Sequence, residues 1–399
     1  MAHYLTGEGM NPLRDDLKPM RFHVVALPHT LTSKIYSPCA YSQKTYNFCK
    51  MMMSLGHEVY HYGGEGSEPP CTEHITTMTA ADREKWWGKN DWKKDFFAIE
   101  WDPHIDYWQT ANMAAMRQIQ TRIQPTDFIC LIGGNCQKQI ADAFPKHMSV
   151  EYGIGYQGVF SKYKVFESYA WMHYVYGLMK QGDGANYDCV IPNYFDPADF
   201  PLTEQKHDYF LYIGRLISRK GVDLAVETTK RLGKTLILAG QGVISKEPGR
   251  IVAAELSILG SHVEHVGVVD IKQRGLLMGR AQAVFVPTTY IGPFEGVSVE
   301  ALFCGTPVIT SDWGCFAEQN IDGDTGFRVR SLGEAMWAAT NLTRLWTPTQ
   351  LRRYAESRLS IEQVRYRYEE YFRSLLTLWK DGWYTEAYDP IKRYAGGFR

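Results

Sequence analysis

The sequence predicts an α/β protein of two doubly wound domains that face each other across a cleft. Three observations carry this. Short apolar runs such as FHVVAL (22–27) and TLILAG (235–240) alternate with helical stretches, and strand–helix–strand order implies parallel sheets with right-handed crossovers. The chain has 399 residues, enough for two or three domains at roughly 150 residues each. The alternation also stops and restarts around YFDPADFPLTEQKHD (194–208), a stretch rich in Pro and Asp.

The first set of units begins with a strand at Phe22–Leu27. A helix at Tyr41–Leu55 closes on Gly56, a favourable C-cap, and HEVYHYG (57–63) follows as the second strand. Residues 66–110 are polar, Trp-rich and irregular, and read as an insertion. The pattern resumes with a helix at Ala111–Ile123, a strand at Asp127–Ile132, a helix at Asn135–Phe144 and a strand at Met148–Tyr152. A helix at Val165–Tyr176 and a strand at Cys189–Ile191 complete it.

The second set runs YFLYIGRL (209–216), a helix from Val222, TLILAG, a helix at Gly249–Leu259, and HVEHVG (262–267). A helix at Ile271–Arg280, AVFVPT (283–288), PFEGVSVEALFCGTP (293–307) and PVITSD (307–312) follow. The tail after about Thr347 is helical, with aromatic residues at helical spacing. The expected division is an amino-terminal domain at 1–195 and a second domain at 196–377, with a helix at about 378–399 packing back on the first. In such sheets ligands sit at the carboxyl ends of the strands, so the cleft between the domains is the default site.

Composition narrows the function. A formal net charge of −1 lacks the basic surface of non-specific nucleic-acid binding. Eight cysteines occur with no CxxC pair and no zinc-like spacing, which favours buried thiols over disulfides or metal. The first sixteen residues hold no apolar core of a signal peptide. No apolar run approaches the roughly 18 residues of a spanning helix. A cytoplasmic protein is the expectation, and the sequon at Asn341-Leu342-Thr343 then carries no meaning.

Three motifs carry chemistry. GIGYQG (153–158) fits G-x-G-x-x-G but sits late in its domain, and a tight turn at the cleft rim fits better than a dinucleotide site. In GRLISRKG (214–221), Gly214 ends a strand, Arg215 stands at its carboxyl edge and Lys220 precedes a helix. A planar fork and a point charge together suit a diphosphate. In PFEGVSVEALF (293–303), Gly296 lets a ligand approach the backbone, and the N–H groups near Val297 and Ser298 make an anion site. Glu300, one turn further in, can accept hydrogen bonds from the vicinal hydroxyls of a ribose.

The ordered series VIPNYFD, YIGRLISRKGVDLAVE, LILAGQG, HVEHVGVV, AVFVPT, PFEGVSVEALFCGTPVITSD and GDTGFRV resembles the donor domain of glycosyltransferase family 4, enzymes of the GT-B fold with two Rossmann-like domains. The resemblance covers about residues 190–330. SLGHEVYHYG (54–63) is similar to the family's first helix and second strand, and the rest of the amino-terminal half matches weakly.

The resemblance implies a retaining hexosyl transfer from a nucleotide diphosphate sugar, with no required metal or other cofactor. It implies diphosphate contacts from Arg215 and Lys220 and a ribose contact from Glu300. The first acid of the family's Glu-x7-Glu pattern falls on Gly292, so Glu295 or the backbone of Pro293, Phe294 and Glu295 takes its place. Val266–Val268 matches the region lining the base, and Val268 is assigned to it. Ser42 and Gln43 stand where the family's Gly-Gly loop approaches the donor phosphate. The family's donor-contacting His is replaced by Glu151, with His173 as an alternative and a packed helix residue as the plainer reading of it. GDP-mannose ranks first as donor and UDP-glucose or another UDP-sugar second. The acceptor is a glycan or lipid-linked sugar. A UDP-sugar epimerase and a catalytically weak nucleotide-sugar-binding protein are the rival readings. Segment 66–110 and the tail are read as an acceptor surface, a peripheral membrane patch or a homodimer contact, and periodicity leaves these open.

Overall fold

The structure is a computed structural model that describes residues 18–35, 39–89, 91 and 99–380. The amino-terminal residues judged above for a signal peptide and the proposed helix beyond residue 380 lie outside the described residues.

The first sheet contains β1 (Arg21–Val25), β2 (Glu58–Gly64), β3 (Glu73–Met78), β4 (Phe128–Leu131), β5 (Met148–Ile154), β6 (Tyr163–Phe166) and β7 (Asp188–Val190). Their order is β3-β2-β1-β4-β5-β6-β7, and every pairing is parallel. The helices of this half are α1 (Ala40–Ser54), α2 (Ala80–Trp87), α3 (Asp106–Gln120), α4 (Lys138–Ala143) and α5 (Tyr169–Leu178). Strands buried on both faces need continuous apolar runs, and FICL in β4 is fully buried.

The second half contains β8 (Tyr209–Ile213), β9 (Thr235–Ala239), β10 (Val243–Glu247), β11 (Arg250–Ala253), β12 (Ser257–Leu259), β13 (Val263–His265), β14 (Val284–Val286), β15 (Val308–Ser311) and β16 (Gly326–Val329). Six of these form a parallel sheet in the order β13-β9-β8-β14-β15-β16. Its helices are α6 (Val222–Arg231), α7 (Ile271–Arg280), α8 (Gly296–Phe303), α9 (Phe316–Gln319), α10 (Leu332–Thr340) and α11 (Pro348–Leu359). The last helix, α12 (Ile361–Lys380), crosses back to the first half. The return begins at 361, inside the range expected for the second domain (196–377), because Val364, Tyr368 and Phe372 pack into the first half's core. Phe372 packs edge-on against Phe22 and Phe128, 4.7 and 4.9 Å between ring centroids. The two crossings lie side by side, with Phe195 bridged to Ser360.

Three expectations are corrected. The helix expected at Gly249–Leu259 is absent; β10, β11 and β12 form an antiparallel sheet there. Glu247 pairs with Arg250 around a Pro248-Gly249 turn, and Ile251 and Ile258 point into the core. Segment 66–110 is not irregular throughout. It supplies the edge strand β3, the helix α2 and the start of α3. A capping box between Thr79 and Asp82 starts α2. The helix expected from Val165 starts only at Tyr169, because 163–166 is a strand and Ser168 is the N-cap, its hydroxyl accepting from Trp171 N at 3.1 Å. The stretch 194–208 holds a single 3₁₀ turn, Pro197–Asp199. No helix among the described residues is long and apolar enough to cross a membrane.

Candidate functional site

The carboxyl end of β8 delivers Gly214 and Arg215 to the cleft side. Gly214 N donates to Ala239 O at 3.0 Å, fixing the turn. A 3₁₀ turn, Ser218–Lys220, follows and ends on Gly221, whose φ is 69°. A Cβ at Gly221 would lie 2.0 Å from Pro287 O, so only glycine lets this turn dock on the end of β14. That docking places Lys220 beside the loop before α8.

Lys220 Nζ donates to both carboxylate oxygens of Glu295, at 2.9 and 2.8 Å. The pair is largely buried, with side-chain exposures of 17% and 7%. Burial lowers the affinity of Lys220 for its proton, but Glu295 and Tyr290 overcome this and the net shift is upward. Both Arg219 and Lys220 lie 5.0 Å from the Tyr290 ring centroid. Arg215 is exposed, and its guanidinium has no carboxylate partner among the described residues.

Glu295 is also the N-cap of α8. Its carbonyl accepts from Ser298 N at 3.0 Å and Ser298 Oγ at 2.7 Å. A Cβ at Gly292 would stand 2.7 Å from Glu295 Oε1. The glycine therefore leaves the room that the Glu295 carboxylate fills.

Glu300 is buried and pairs with Arg274 of α7 at 3.3 Å. Burial raises its pKa, and Arg274 opposes the shift. Glu300 Oε2 and Arg274 Nε have no well-aligned hydrogen-bond partner. Both residues line a cavity of about 250 Å³ between the two halves, together with Gln43, Lys44, Phe294, Gly296 and Val297.

The structure thus gathers Gln43, Phe294, Gly296, Val297 and Glu300 on one cavity. Lys220, Glu295, Pro293 and Ser298 stand around the start of α8. Ser42 is turned away: its hydroxyl donates to Thr30 Oγ1 at 2.6 Å inside the first half. Val268 is exposed on the loop after β13. Phe294 stacks at 6.2 Å on Phe195 of the crossing segment.

Glu151 does not face the cleft. It is fully buried, accepts from Phe160 N, Ser161 N and Tyr156 OH at 2.9, 2.7 and 3.1 Å, and holds the 155–161 loop. Burial pushes its pKa up to about 7 against the backbone bonds that lower it. His173 is exposed on α5, so the packed reading is also set aside. GIGYQG is the end of β5 (Gly153, Ile154) running into a loop, and a Cβ at Gly155 would lie 2.5 Å from Glu167 Oε1.

Two features escaped sequence reasoning. Arg274 sits among other cations in IKQRGLLMGR, where nothing marks it. Lys44 forms a buried ion pair with Glu167 and donates to Gly153 O at 2.9 Å, a pairing across 123 positions that no local pattern shows. The halves are also joined directly. Ser168 Oγ donates to Pro293 O at 2.8 Å, and Tyr169 N and Ala170 N donate to Glu318 at 2.9 and 2.8 Å.

Two parallel sheets with a cleft at their facing edges define the GT-B fold. Solved structures agree. A glycosyltransferase involved in avilamycin A biosynthesis matches with TM-score 0.62 and 21% identity over 90% of this chain and 98% of that one. Anabaena HepE, solved with UDP and glucose, matches with TM-score 0.60 and 13% identity over 89% and 100%. Residues 197–355 match the family model described as Glycosyl transferases group 1. A glycogen synthase of Mycobacterium tuberculosis (strain H37Rv) is 32% identical over 185 residues, 44% of each chain. The chain spans less than half the length of the curated relatives it matches.

Proposed function

We propose that the chain is a retaining hexosyltransferase using a nucleotide diphosphate sugar, with 1–195 plus the returning α12 as acceptor side and 196–360 as donor side. The carrying observation is the Lys220–Glu295 pair at the start of α8, beside the cavity that Glu300 lines. A UDP-hexose now ranks ahead of GDP-mannose as donor, supported by the UDP and glucose named for HepE.

In this reading Arg215, Lys220 and the α8 N-terminus bind the diphosphate. The C1–O bond to the diphosphate breaks as the acceptor hydroxyl attacks C1 from the same face. The proton of that hydroxyl passes to the departing phosphate oxygen. The cations stabilise the growing negative charge more in the transition state than in the ground state. Glu295, filling the space beside Gly292, takes hydroxyls of the donor sugar, and Glu300 turns from Arg274 to the ribose. No protein nucleophile enters the scheme. No further cofactor is assigned.

Calorimetric titration with UDP-glucose, GDP-mannose, UDP-N-acetylglucosamine and NADH tests this, with Arg215→Ala as control. One nucleotide sugar should bind, and the variant should lose about tenfold or more in affinity, the worth of one charged hydrogen bond. Binding of NADH alone, or of no nucleotide sugar, refutes the reading.

A further inference from the structure

A half-exposed indole of the first half stands beside the start of α1, the helix that lines the inter-domain cavity. Trp101 is 49% exposed, yet its position is fixed by its neighbours. Tyr107 OH donates to Glu100 O at 2.8 Å and accepts from Glu100 N at 3.0 Å. Trp108 Nε1 donates to the same carbonyl at 3.1 Å. Both main-chain groups of Glu100 are thereby pinned by buried aromatic residues of α3. The Trp101 ring rests against Trp108 at 5.5 Å and edge-on against Tyr41 at 6.2 Å. A large apolar side chain held rigidly in solvent is a preorganised contact surface, because little side-chain entropy is lost when a partner covers it.

Its location gives it a purpose. Tyr41 opens α1, whose Ala40, Gln43 and Lys44 line the inter-domain cavity. Tyr41 OH donates to Gly155 O at 3.0 Å, and Lys44 Nζ lies 4.4 Å from its ring centroid. From Trp101 the Tyr41 ring therefore leads to Lys44, which lines the same cavity as Glu300.

The flanking charges select the occupant. Glu100 and Asp102, on either side of Trp101, are exposed and have no ion-pair partner among the described residues. Asp102 Oδ1 accepts from His104 N at 2.9 Å, which leaves Oδ2 open. An anionic headgroup is repelled by two carboxylates. A neutral polyol is not: its hydroxyls donate to carboxylates while the C–H face of its ring packs on the indole.

We propose that Trp101, with Glu100 and Asp102, forms an acceptor subsite for a neutral pyranose ring. This rests on the transferase reading. The ring lies against the indole with its hydroxyls on the flanking acids, and the attacking hydroxyl lies toward the inter-domain cavity.

Saturation-transfer NMR tests it, with methyl α-D-glucopyranoside as probe, D-sorbitol as open-chain control and UDP in the same tube. Wild type should saturate the glucoside ring protons on one face and leave sorbitol silent. Trp101→Ala should lower glucoside affinity about tenfold, the worth of one aromatic stacking contact. Trp101→Phe should retain most of it. The UDP signal should persist in all three proteins, which shows that they are folded. Unchanged glucoside binding in Trp101→Ala, or equal binding of sorbitol, overturns the subsite. A glucoside signal lost in Trp101→Ala alongside no UDP signal even in wild type supports the pyranose platform and instead sinks the transferase reading.

Discussion

Replacing Lys220 with Met leaves the Glu295 carboxylate at 7% exposure without its cation. The lost contacts are two charged hydrogen bonds of 2.8 and 2.9 Å. Breaking one partner of such a buried pair costs about 3–5 kcal/mol, because the remaining charge is stranded. Glu295→Gln keeps one acceptor and costs about 2 kcal/mol. The double variant strands no carboxylate, so its cost should fall at least about 2 kcal/mol below the sum of the singles. Lys220 has its folded pKa raised above the ordinary 10.5. Its contribution is therefore complete below that value and fades only as pH climbs through the folded pKa. Urea unfolding at pH 7.5, followed by tryptophan fluorescence, captures all of it. At about 2–4 °C per kcal/mol for a domain of this size, the Lys220→Met shift in Tm should be about 6 °C or more. Additivity of the two variants to within about 0.5 kcal/mol would refute the coupling.

Gly292 lies outside the positive-φ region, so Gly292→Ala tests crowding alone. The new methyl pushes Glu295 off Lys220, and turnover should fall about ten- to hundredfold for each charged hydrogen bond lost, read as kcat/KM for the nucleotide sugar that binds. Glu151 has its pKa raised from 4.5 to about 7. The folded state thus keeps a proton that the unfolded state loses, and stability falls as pH rises between those values. Relative to Glu151→Gln, wild type should lose about 3 kcal/mol between pH 4.5 and 7.5 and then level off, as measured by denaturation at each pH. Glu318→Ala removes the acceptor that caps α5 from the other half. The cost is about 1 kcal/mol, which should open the cleft detectably as a larger radius of gyration in X-ray scattering without nucleotide.

The second parallel sheet was legible because its strands are buried on both faces and read as plain apolar runs: FLYI, LILA, VFV and VITS. The hairpin at 243–259 was harder. Pro248-Gly249 is a turn signal, but β10 has only Val243 partly covered, so half of the hairpin lacks the apolar alternation that marks a strand. The edge strand EHITTM was missed because its buried positions, Ile75, Thr77 and Met78, include a threonine, which leaves two apolar residues three apart in place of an alternation. At the site, the motif residues Lys220, Glu295 and Glu300 were legible because they are close in sequence to glycine turns and a helix start. Arg274 and Lys44 were not. Arg274 on α7 meets Glu300 on α8, and Lys44 on α1 meets Glu167 just after β6, each pair lying within one half and brought together only by packing between separate elements.

The returning helix α12 sets the order in which the chain can mature. Phe22, Phe48 and Phe128 find their packing partner in Phe372, which follows every strand of the second sheet. During synthesis the second sheet is complete while the first still lacks this wall. The half that is made first therefore finishes last, holding part of its apolar face uncovered until residues 361–375 arrive.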